Sequence, residues 1–366
     1  MLSRSILDSY IPLLHYFSLD HDTNTEQITI PRLKKSDIID LLRKCREIFR
    51  IEPTLLRLEG DFNIIGDIHG NLKDLLRIIS FTGLQMSIGF VFLGDYVDKG
   101  DLSIESIVFI LAMKLAYPSK VFMIRGNHEF DNMNHEYGFK KQVFEVYDED
   151  VYDAFHDCFS CIPLAALVNQ DYLCMHGGLG PGFVSLNQIE QIERPIFSVD
   201  AETKFSQILD SILWSDPSEM IQQYTNNNRG KGFVYGGSAV NKFLQNNNLR
   251  TIIRSHQCVD GYKELFDGGL ITVFSSSCYS KNPVNRCGLL QIIRNEEITK
   301  KHFPASEPIS KINIEYKVVE VSQTIPLCQR RLSLPFTKTS TNMKRMPFCV
   351  KSDRMKGSFV RNKNSE

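Results

Sequence analysis

Three short motifs rich in glycine, aspartate and histidine most constrain how this chain can fold. They are GDIHGN (66–71), GDYVDKG (94–100) and GNHE (126–129). Each follows directly on a short apolar run, at residues 62–65, 90–93 and 121–124, which has the length and composition of a buried strand. Helical patterns separate the runs, so the spacing predicts βαβ units. The motifs would then meet at one edge of a sheet, where its strands end. The segment at 135–159 also has a helical pattern, and short apolar runs after it, including the one at 289–293, suggest a second sheet.

The size and the residue composition are those of a soluble globular protein. No apolar run approaches the roughly 18 residues of a membrane-spanning helix, and the N-terminus lacks the apolar core and cleavage site of a signal peptide. The nine cysteines are scattered, as is typical of buried thiols in a reducing compartment. We therefore expect an intracellular protein of the cytoplasm or nucleus, with no membrane span and no nucleic-acid partner.

The near-neutral net charge of −1 conceals an uneven distribution. From Cys328 to the end there are ten Lys and Arg against two acidic residues, so this tail carries +8 and the rest about −9. From about residue 324 the composition predicts disorder. We divide the chain into a catalytic domain at 1–305, which includes a helical N-terminal segment at 1–60, and a C-terminal extension at 306–366.

Six side chains with oxygen or nitrogen donors stand at the ends of apolar runs and are candidate metal ligands: Asp67, His69, Asp95, Asn127, His176 and His256. Asp67 and His69 are two residues apart and can flank one cation, while Asp95 can bridge to a second. Such donors suit hard or borderline divalent cations. Two ions about 3.5–4 Å apart can clamp a phosphoryl group and generate hydroxide at neutral pH.

His128 has a different predicted role. It follows Asn127 directly and would therefore point elsewhere. A histidine beside the metals, with Asp98 near enough to fix its tautomer, suits a general acid that protonates a leaving alkoxide.

These residues resemble the PPP family of serine/threonine protein phosphatases, within the calcineurin-like metallophosphoesterases, over roughly residues 41–303. The motifs come in family order: GDIHGN, GDYVDKG, RGNHE, MHGGL (175–179), LWSDP (213–217), RG (229–230), SHQ (255–257) and a Ser-rich turn ending at Tyr279. The resemblance implies an α/β fold with a central β-sandwich flanked by helices and a dimetal site at the strand C-terminal ends. It implies two divalent metal ions, manganese with iron or zinc as alternatives, and attack of a metal-activated hydroxide on phosphoserine or phosphothreonine. Signalling phosphoproteins would be the substrates, and regulatory or targeting subunits the partners.

The resemblance also implies a role for each matching residue. The first metal corresponds to Asp67, His69 and Asp95, and the second to Asp95, Asn127, His176 and His256. His128 corresponds to the general acid and Asp98 to its partner. The phosphate-binding set would be Arg229, Lys99, Asn127 and, at the rim of the site, Tyr279.

Three departures from the family pattern stand out. Lys99 replaces an arginine, Asn71 replaces a glutamine, and Ser280 follows Tyr279 where type 1 and type 2A enzymes carry a cysteine. Lysine keeps the charge but loses the planar fork of arginine, so we expect a slow phosphatase. Two alternatives stay open. One is a metallophosphoesterase for nucleotides or other small phosphoesters, and the other is a weakly active or scaffold homologue of a phosphatase.

Overall fold

The three runs that precede the motifs form neighbouring strands, as predicted. The structure is a computed structural model that describes residues 1–18, 27–199 and 203–321. The described residues all belong to one compact unit, Met1–Leu332. The predicted disordered tail from about residue 324 lies outside the described residues. None of the described helices is long and apolar enough to cross a bilayer.

The strands and helices are named here in chain order. The strands are β1 (Ile28–Arg32), β2 (Leu55–Leu58), β3 (Phe62–Ile65), β4 (Gly89–Phe92), β5 (Val121–Met123), β6 (Ala165–Val168), β7 (Tyr172–Met175), β8 (Asp216–Pro217), β9 (Tyr224–Asn226), β10 (Phe233–Tyr235), β11 (Thr251–Arg254), β12 (Tyr262–Leu265), β13 (Leu270–Val273), β14 (Cys287–Ile292), β15 (Thr299–Phe303) and β16 (Ile314–Val318). The helices are α1 (Leu2–Phe17), α2 (Lys35–Ile51), α3 (Leu72–Thr82), α4 (Ser103–Ala116), α5 (Asp131–Tyr137), α6 (Phe139–Val146), α7 (Glu149–Phe159), α8 (Asn187–Glu190), α9 (Ser206–Trp214) and α10 (Gly237–Asn247).

Two sheets form the predicted central sandwich. The five-stranded sheet has the order β15-β14-β3-β4-β5, and its three motif strands β3, β4 and β5 run parallel. The six-stranded sheet has the order β12-β13-β11-β7-β6-β2. One apolar cluster fills the space between the sheets, with contributions such as Ile64 and Val91 from the first and Ile253 and Ile271 from the second.

Helices cover both outer faces of the sandwich. Phe90 and Phe92 of β4 point away from Val91 and pack with α1 to α4, α6 and α7. Leu173 and Met175 of β7 pack with α8, α9 and α10 on the opposite side. Because the central strands of each sheet are buried on both faces, they read as continuous apolar runs instead of alternating ones.

Two local expectations differ in detail or in outcome from the structure. The segment at 135–159, expected to be helical, is helical but divided among three helices, because Gly138 adopts a φ of 111° between α5 and α6 and Asp148 caps the start of α7. The apolar run at 289–293, expected in the second sheet, belongs to β14 of the first sheet, where it pairs antiparallel with β3. A run of apolar letters fixes a strand but not its partner, which explains the second error.

The predicted boundary at residue 305 stays a prediction. Beyond that residue the chain forms a 3₁₀ turn, Lys311–Asn313, and then β16, which pairs in parallel with β1. The ring of Tyr316 lies 3.3 Å from the guanidinium of Arg32, which also contacts Glu105 of α4 at 3.4 Å. This part of the extension therefore packs against the N-terminal segment.

Candidate active site

The six candidate ligands converge at one edge of the sandwich, as the strand-end argument predicts. The Nε2 of His69 lies 3.5 Å from Asp95 Oδ2 and 3.6 Å from Asp67 Oδ2. The Nε2 of His176 lies 3.2 Å from Asp95 Oδ1 and 2.9 Å from Asn127 Oδ1. The ligand atom of His256 falls within 4.8 Å of those of Asp95 and His176. Every one of these side chains is buried.

The backbone around the site is unusually strained. Five non-glycine residues of the site have a positive φ: His69 (45°), Asp95 (52°), Asp98 (68°), Lys99 (66°) and His256 (65°). Residues other than glycine seldom adopt this conformation, and it recurs at functional sites, where the surrounding structure enforces it. Here the amide of His69 donates to the carbonyl of Asp95 at 2.9 Å, and the carbonyl of His69 accepts from Gly100 at 3.0 Å. The first two motifs therefore hold each other in place.

Glu129 holds the second and third motifs together through hydrogen bonds to their backbone amides. No role was predicted for this residue. Its Oε2 accepts from the amides of Asp95 and Gly126, each at 2.9 Å, and its Oε1 accepts from Tyr96 at 2.8 Å. Burial, and then the charge of Asp95, raise the pKa of Glu129 to about 7. Its place in the third motif was the available signal, but a carboxylate that binds backbone amides looks no different in sequence from one that binds a metal.

Backbone carbonyls fix the ring orientation of two of the histidines. The Nδ1 of His69 donates to the carbonyl of Val97 at 3.0 Å, and the Nδ1 of His176 donates to that of Leu93 at 2.8 Å. A carbonyl partner at Nδ1 sets the tautomer of a metal-ligating histidine and leaves Nε2 as the electron-pair donor. Both rings are thus oriented as metal ligands are.

Two buried atoms of the site also lack a hydrogen-bond partner in the described structure, Asp67 Oδ2 and His256 Nε2. The other oxygen of Asp67 is satisfied, since it accepts from the Ser255 hydroxyl at 2.5 Å and from the His256 amide at 3.1 Å. An unpaired buried polar atom is costly. A cation would remove that cost, so the residues fit a metal centre.

The donor atoms form two groups that share Asp95: Asp95 with His69 and His128, and Asp95 with His176 and His256. The two oxygens of Asp95 face different groups, because Oδ2 is near His69 and Oδ1 is near His176. This arrangement can hold two cations side by side. His128 belongs to the first group by proximity, although its predicted role is that of an acid.

The electrostatics of the site reflect crowded buried charge. Burial, and then the charge of Asp95, raise the pKa of Asp67 to about 6. Burial alone would lower the pKa of His176, but the charges of Asp95 and Asp67 and the hydrogen bonds to Asp95 and Leu93 together raise that pKa to about 9. Acidic groups packed this tightly favour positive charge between them.

His128 and Asp98 form the predicted pair. The Nδ1 of His128 lies 2.8 Å from Asp98 Oδ2, and its Nε2 faces Asp95 Oδ2 at 4.0 Å. Asp98 is itself anchored, because it accepts from the Asn134 side chain at 2.9 Å and from the Phe139 amide at 2.8 Å. Helices α5 and α6 therefore fix the carboxylate that orients the histidine.

The remaining predicted residues surround this buried centre. The ring of Tyr279 is 40% exposed and stacks on that of His69 with centroids 5.2 Å apart. The ammonium of Lys99 lies over the ring of Tyr137, 3.2 Å from its centroid. Arg229 lies on the loop between β9 and β10, and its Nε donates to Asp216 at 2.6 Å. The contacts of Lys99 with Tyr137 and of Arg229 with Asp216 were not predicted, because a sequence motif does not show which side chains pack next to each other in the fold.

Comparison with known proteins agrees with this geometry. Residues 61–260 match the calcineurin-like phosphoesterase family. A structure of a serine/threonine phosphatase from Saccharomyces cerevisiae, described as similar to human phosphatase PP5, is 30% identical with a TM-score of 0.69, and the match covers 75% of this chain and 91% of that one. A cold-active protein-tyrosine phosphatase from a psychrophilic Shewanella species has 18% identity and a TM-score of 0.51, covering 70% of this chain and 84% of its own, which indicates a related fold alone.

The chain belongs to the calcineurin-like phosphoesterase family, and the predicted resemblance to PPP phosphatases is confirmed. It is a metal-binding hydrolase of phosphoesters.

Proposed function

We propose that this protein is a serine/threonine protein phosphatase with two divalent metal ions. The observation that carries the proposal is the anchored His128–Asp98 pair beside the candidate ligands. A seryl or threonyl alkoxide is a poor leaving group and gains from a proton donor, whereas an aryl phosphate needs one much less. The 30% identity to a yeast serine/threonine phosphatase over most of that chain also supports the proposal.

Each candidate ligand has a proposed place. Asp67, His69 and Asp95 would hold one cation. The second would be held by Asp95, Asn127, His176 and His256. When bound, two divalent cations polarise phosphoryl oxygens and lower the pKa of water. Manganese, iron and zinc all accept this donor set.

The other residues bind the substrate and move a proton. Asp98 holds the Nδ1 proton of His128, so that Nε2 is the atom that donates to the departing seryl oxygen. Arg229 and Lys99 supply positive charge to phosphoryl oxygens, and Asn127 offers an amide there. Tyr279 lies at the exposed rim, where a substrate residue next to the phosphoserine would pass.

The partners and location follow the same proposal. Phosphoproteins of the cytoplasm or nucleus are the substrates, and regulatory or targeting subunits supply selectivity. The alternatives are an enzyme for nucleotides or other small phosphoesters, and a weakly active scaffold homologue. The anchored acid disfavours the scaffold, which has no use for a proton donor. The 30% identity to a yeast serine/threonine phosphatase favours the protein phosphatase over the enzyme for small phosphoesters.

A substrate panel tests the proposal. Protein loaded with Mn²⁺ is assayed on phosphoserine, phosphothreonine and phosphotyrosine peptides and on a dinucleotide. We expect the highest kcat/KM on the phosphoserine or phosphothreonine peptide. Faster hydrolysis of the dinucleotide would replace the proposal by its first alternative, and no turnover of any substrate by metal-loaded protein would favour the second.

A further inference from the structure

A buried carboxylate connects the arginine at the rim to the core of the molecule. Asp216 is 6% exposed and accepts hydrogen bonds through both of its oxygens. Its Oδ2 accepts from Arg229 Nε at 2.6 Å, and its Oδ1 accepts from Arg254 Nη2 at 2.9 Å. The Asn227 side chain adds a weaker contact to Oδ2 at 3.3 Å. Asp216 therefore lies between two guanidinium groups of very different exposure.

Arg254 is the fixed end of this chain of contacts. Its side chain is fully buried at the end of β11, two residues before the candidate ligand His256. Besides Asp216 it donates to the carbonyls of Gly177 at 2.8 Å and Ser215 at 3.0 Å. Gly177 directly follows His176, so this one guanidinium touches the loops that carry two candidate ligands. With a further contact to Gln257 Oε1 at 3.2 Å, the guanidinium has four hydrogen-bond partners and little freedom to move.

Arg229 is the exposed end of this chain of contacts. It lies on the loop between the antiparallel strands β9 and β10, and its side chain is 37% exposed. Strand β10 pairs with β8, the two-residue strand that contains Asp216, so the sheet brings the carboxylate to the base of the loop. In the described structure, Asp216 is the only acidic side chain that pairs with this guanidinium.

We infer that Asp216 is a positioning residue, which holds Arg229 by its Nε so that the two Nη groups face the phosphoryl group of the substrate. The inference rests on the phosphate-binding role proposed above for Arg229. An arginine binds phosphate best with two parallel N–H groups, and a long exposed side chain must be restrained for both to be aligned. Burial, then the charge of His176 and then that of Arg229 lower the pKa of His256. Burial and, to a smaller extent, the charge of Arg229 lower the pKa of Lys99. Both effects agree with a guanidinium directed toward the site.

The test measures competitive inhibition by inorganic phosphate during hydrolysis of p-nitrophenyl phosphate by Mn²⁺-loaded protein. Asp216→Glu keeps the negative charge beside Arg254 but displaces the carboxylate by one methylene. Loss of one oriented, charge-assisted contact predicts a rise of about tenfold or more in the Ki of phosphate. The same substitution in an Arg229→Ala background should have no further effect, because the residue through which Asp216 acts is gone.

The double variant separates positioning from a general structural role. A purely structural role of Asp216 would raise Ki by the same factor with and without Arg229, and that result would overturn the inference. An unchanged Ki in folded Asp216→Glu would overturn it as well. An unchanged Ki in Arg229→Ala alone would refute the proposed role of Arg229, and the inference with it. None of these readouts depends on whether the natural substrate is a phosphoserine, so the outcome for the substrate panel stays separate.

A second variant keeps the inference testable if Asp216→Glu does not fold. Arg229→Lys leaves the Asp216–Arg254 pair intact and preserves the charge. A lysine ammonium can bind either Asp216 or the phosphate, but it cannot bind Asp216 and also present two parallel N–H groups to the phosphate. We therefore expect a Ki close to that of Arg229→Ala. A wild-type Ki in this variant would show that charge alone suffices and would contradict the inference. Glu190→Gln is the matched control, because it removes a comparable Arg–carboxylate contact, to Arg57 at 2.8 Å, outside the site. It should leave Ki unchanged.

Discussion

The inner group of the site, formed by the six candidate ligands, and its rim, formed by Lys99, Arg229 and Tyr279, are built in opposite ways. The inner group is at most 8% exposed, and backbone groups of neighbouring motifs hold it from behind. The rim is exposed, and each of its residues is held by a side chain from elsewhere: Tyr137 for Lys99, Asp216 for Arg229 and the His69 ring for Tyr279.

This difference separates two tasks of the enzyme. Cations require donor atoms at fixed positions, and strand ends joined by backbone hydrogen bonds supply them. Substrates require a surface that can differ between relatives, and loops held by a few side chains allow it. Substitutions should therefore abolish the chemistry in the inner group and change rate or affinity at the rim.

The largest effect is expected from Asp95→Asn. The two oxygens of Asp95 face different donor groups, so we expect loss of both metal ions and a fall in activity of at least about 10³-fold, since cations contribute several kcal/mol to such transition states. Elemental analysis together with hydrolysis of p-nitrophenyl phosphate measures both. Asp67→Asn is the comparison, since only one oxygen of Asp67 is free for a cation, and it should mainly affect one ion. Two retained ions and full activity in Asp95→Asn would rule out the bridge.

His128→Asn should have the next largest effect, and that effect should depend on the leaving group. General acids contribute about 10²–10⁴-fold, so we expect a loss in this range on a phosphoserine peptide and a smaller loss on p-nitrophenyl phosphate. The metal content should not change, because His128 is held by Asp98 and not needed as a ligand. Equal losses on both substrates would remove the acid role. Loss of a metal would place His128 among the ligands instead.

The same contrast explains what could be predicted from the sequence. Residues 62–65 were placed correctly as a strand, and the convergence of Asp67, Asp95 and Asn127 followed from strand ends alone, because parallel strands bring their ends to one edge. Roles for Arg229 and Tyr279 required the family resemblance. Asp216, which supports Arg229, and Tyr137, which supports Lys99, were missed, since contacts between distant loops leave no periodic pattern in the sequence.

Lys99→Arg tests whether the rim tolerates the geometry of the wider family. The lysine ammonium lies over Tyr137, and an arginine can stack on the same ring while it offers two donors. One added oriented, charge-assisted hydrogen bond, worth roughly 1.5–3 kcal/mol, predicts a rise in kcat/KM of about tenfold or more on a phosphoserine peptide. Lys99→Met removes the charge and should lower it. A slower Lys99→Arg enzyme would mean that this rim is built around the Lys99–Tyr137 contact.

The smallest effect is expected where the inner group and the rim meet, at Asn71. Its Oδ1 caps α3 by accepting from the Asp74 amide at 3.1 Å, while its Nδ2 reaches Ser276 and Ser277 of the loop before Tyr279 at 3.3 Å. Asn71→Ala loses both, so stability should fall by about 0.5–2 kcal/mol in urea unfolding. The loosened loop should raise KM for a phosphopeptide by about threefold, equivalent to roughly 0.7 kcal/mol.

Asn71→Ser separates the two contributions, because serine also caps helices but is too short to reach the loop. It should restore stability and leave KM raised. If serine restores both, the Tyr279 loop is positioned without Asn71. Its position would then depend on its other contacts, such as Asp74, which accepts from the Ser277 amide at 2.6 Å, and Asn285, which donates to the Ser276 carbonyl at 2.8 Å.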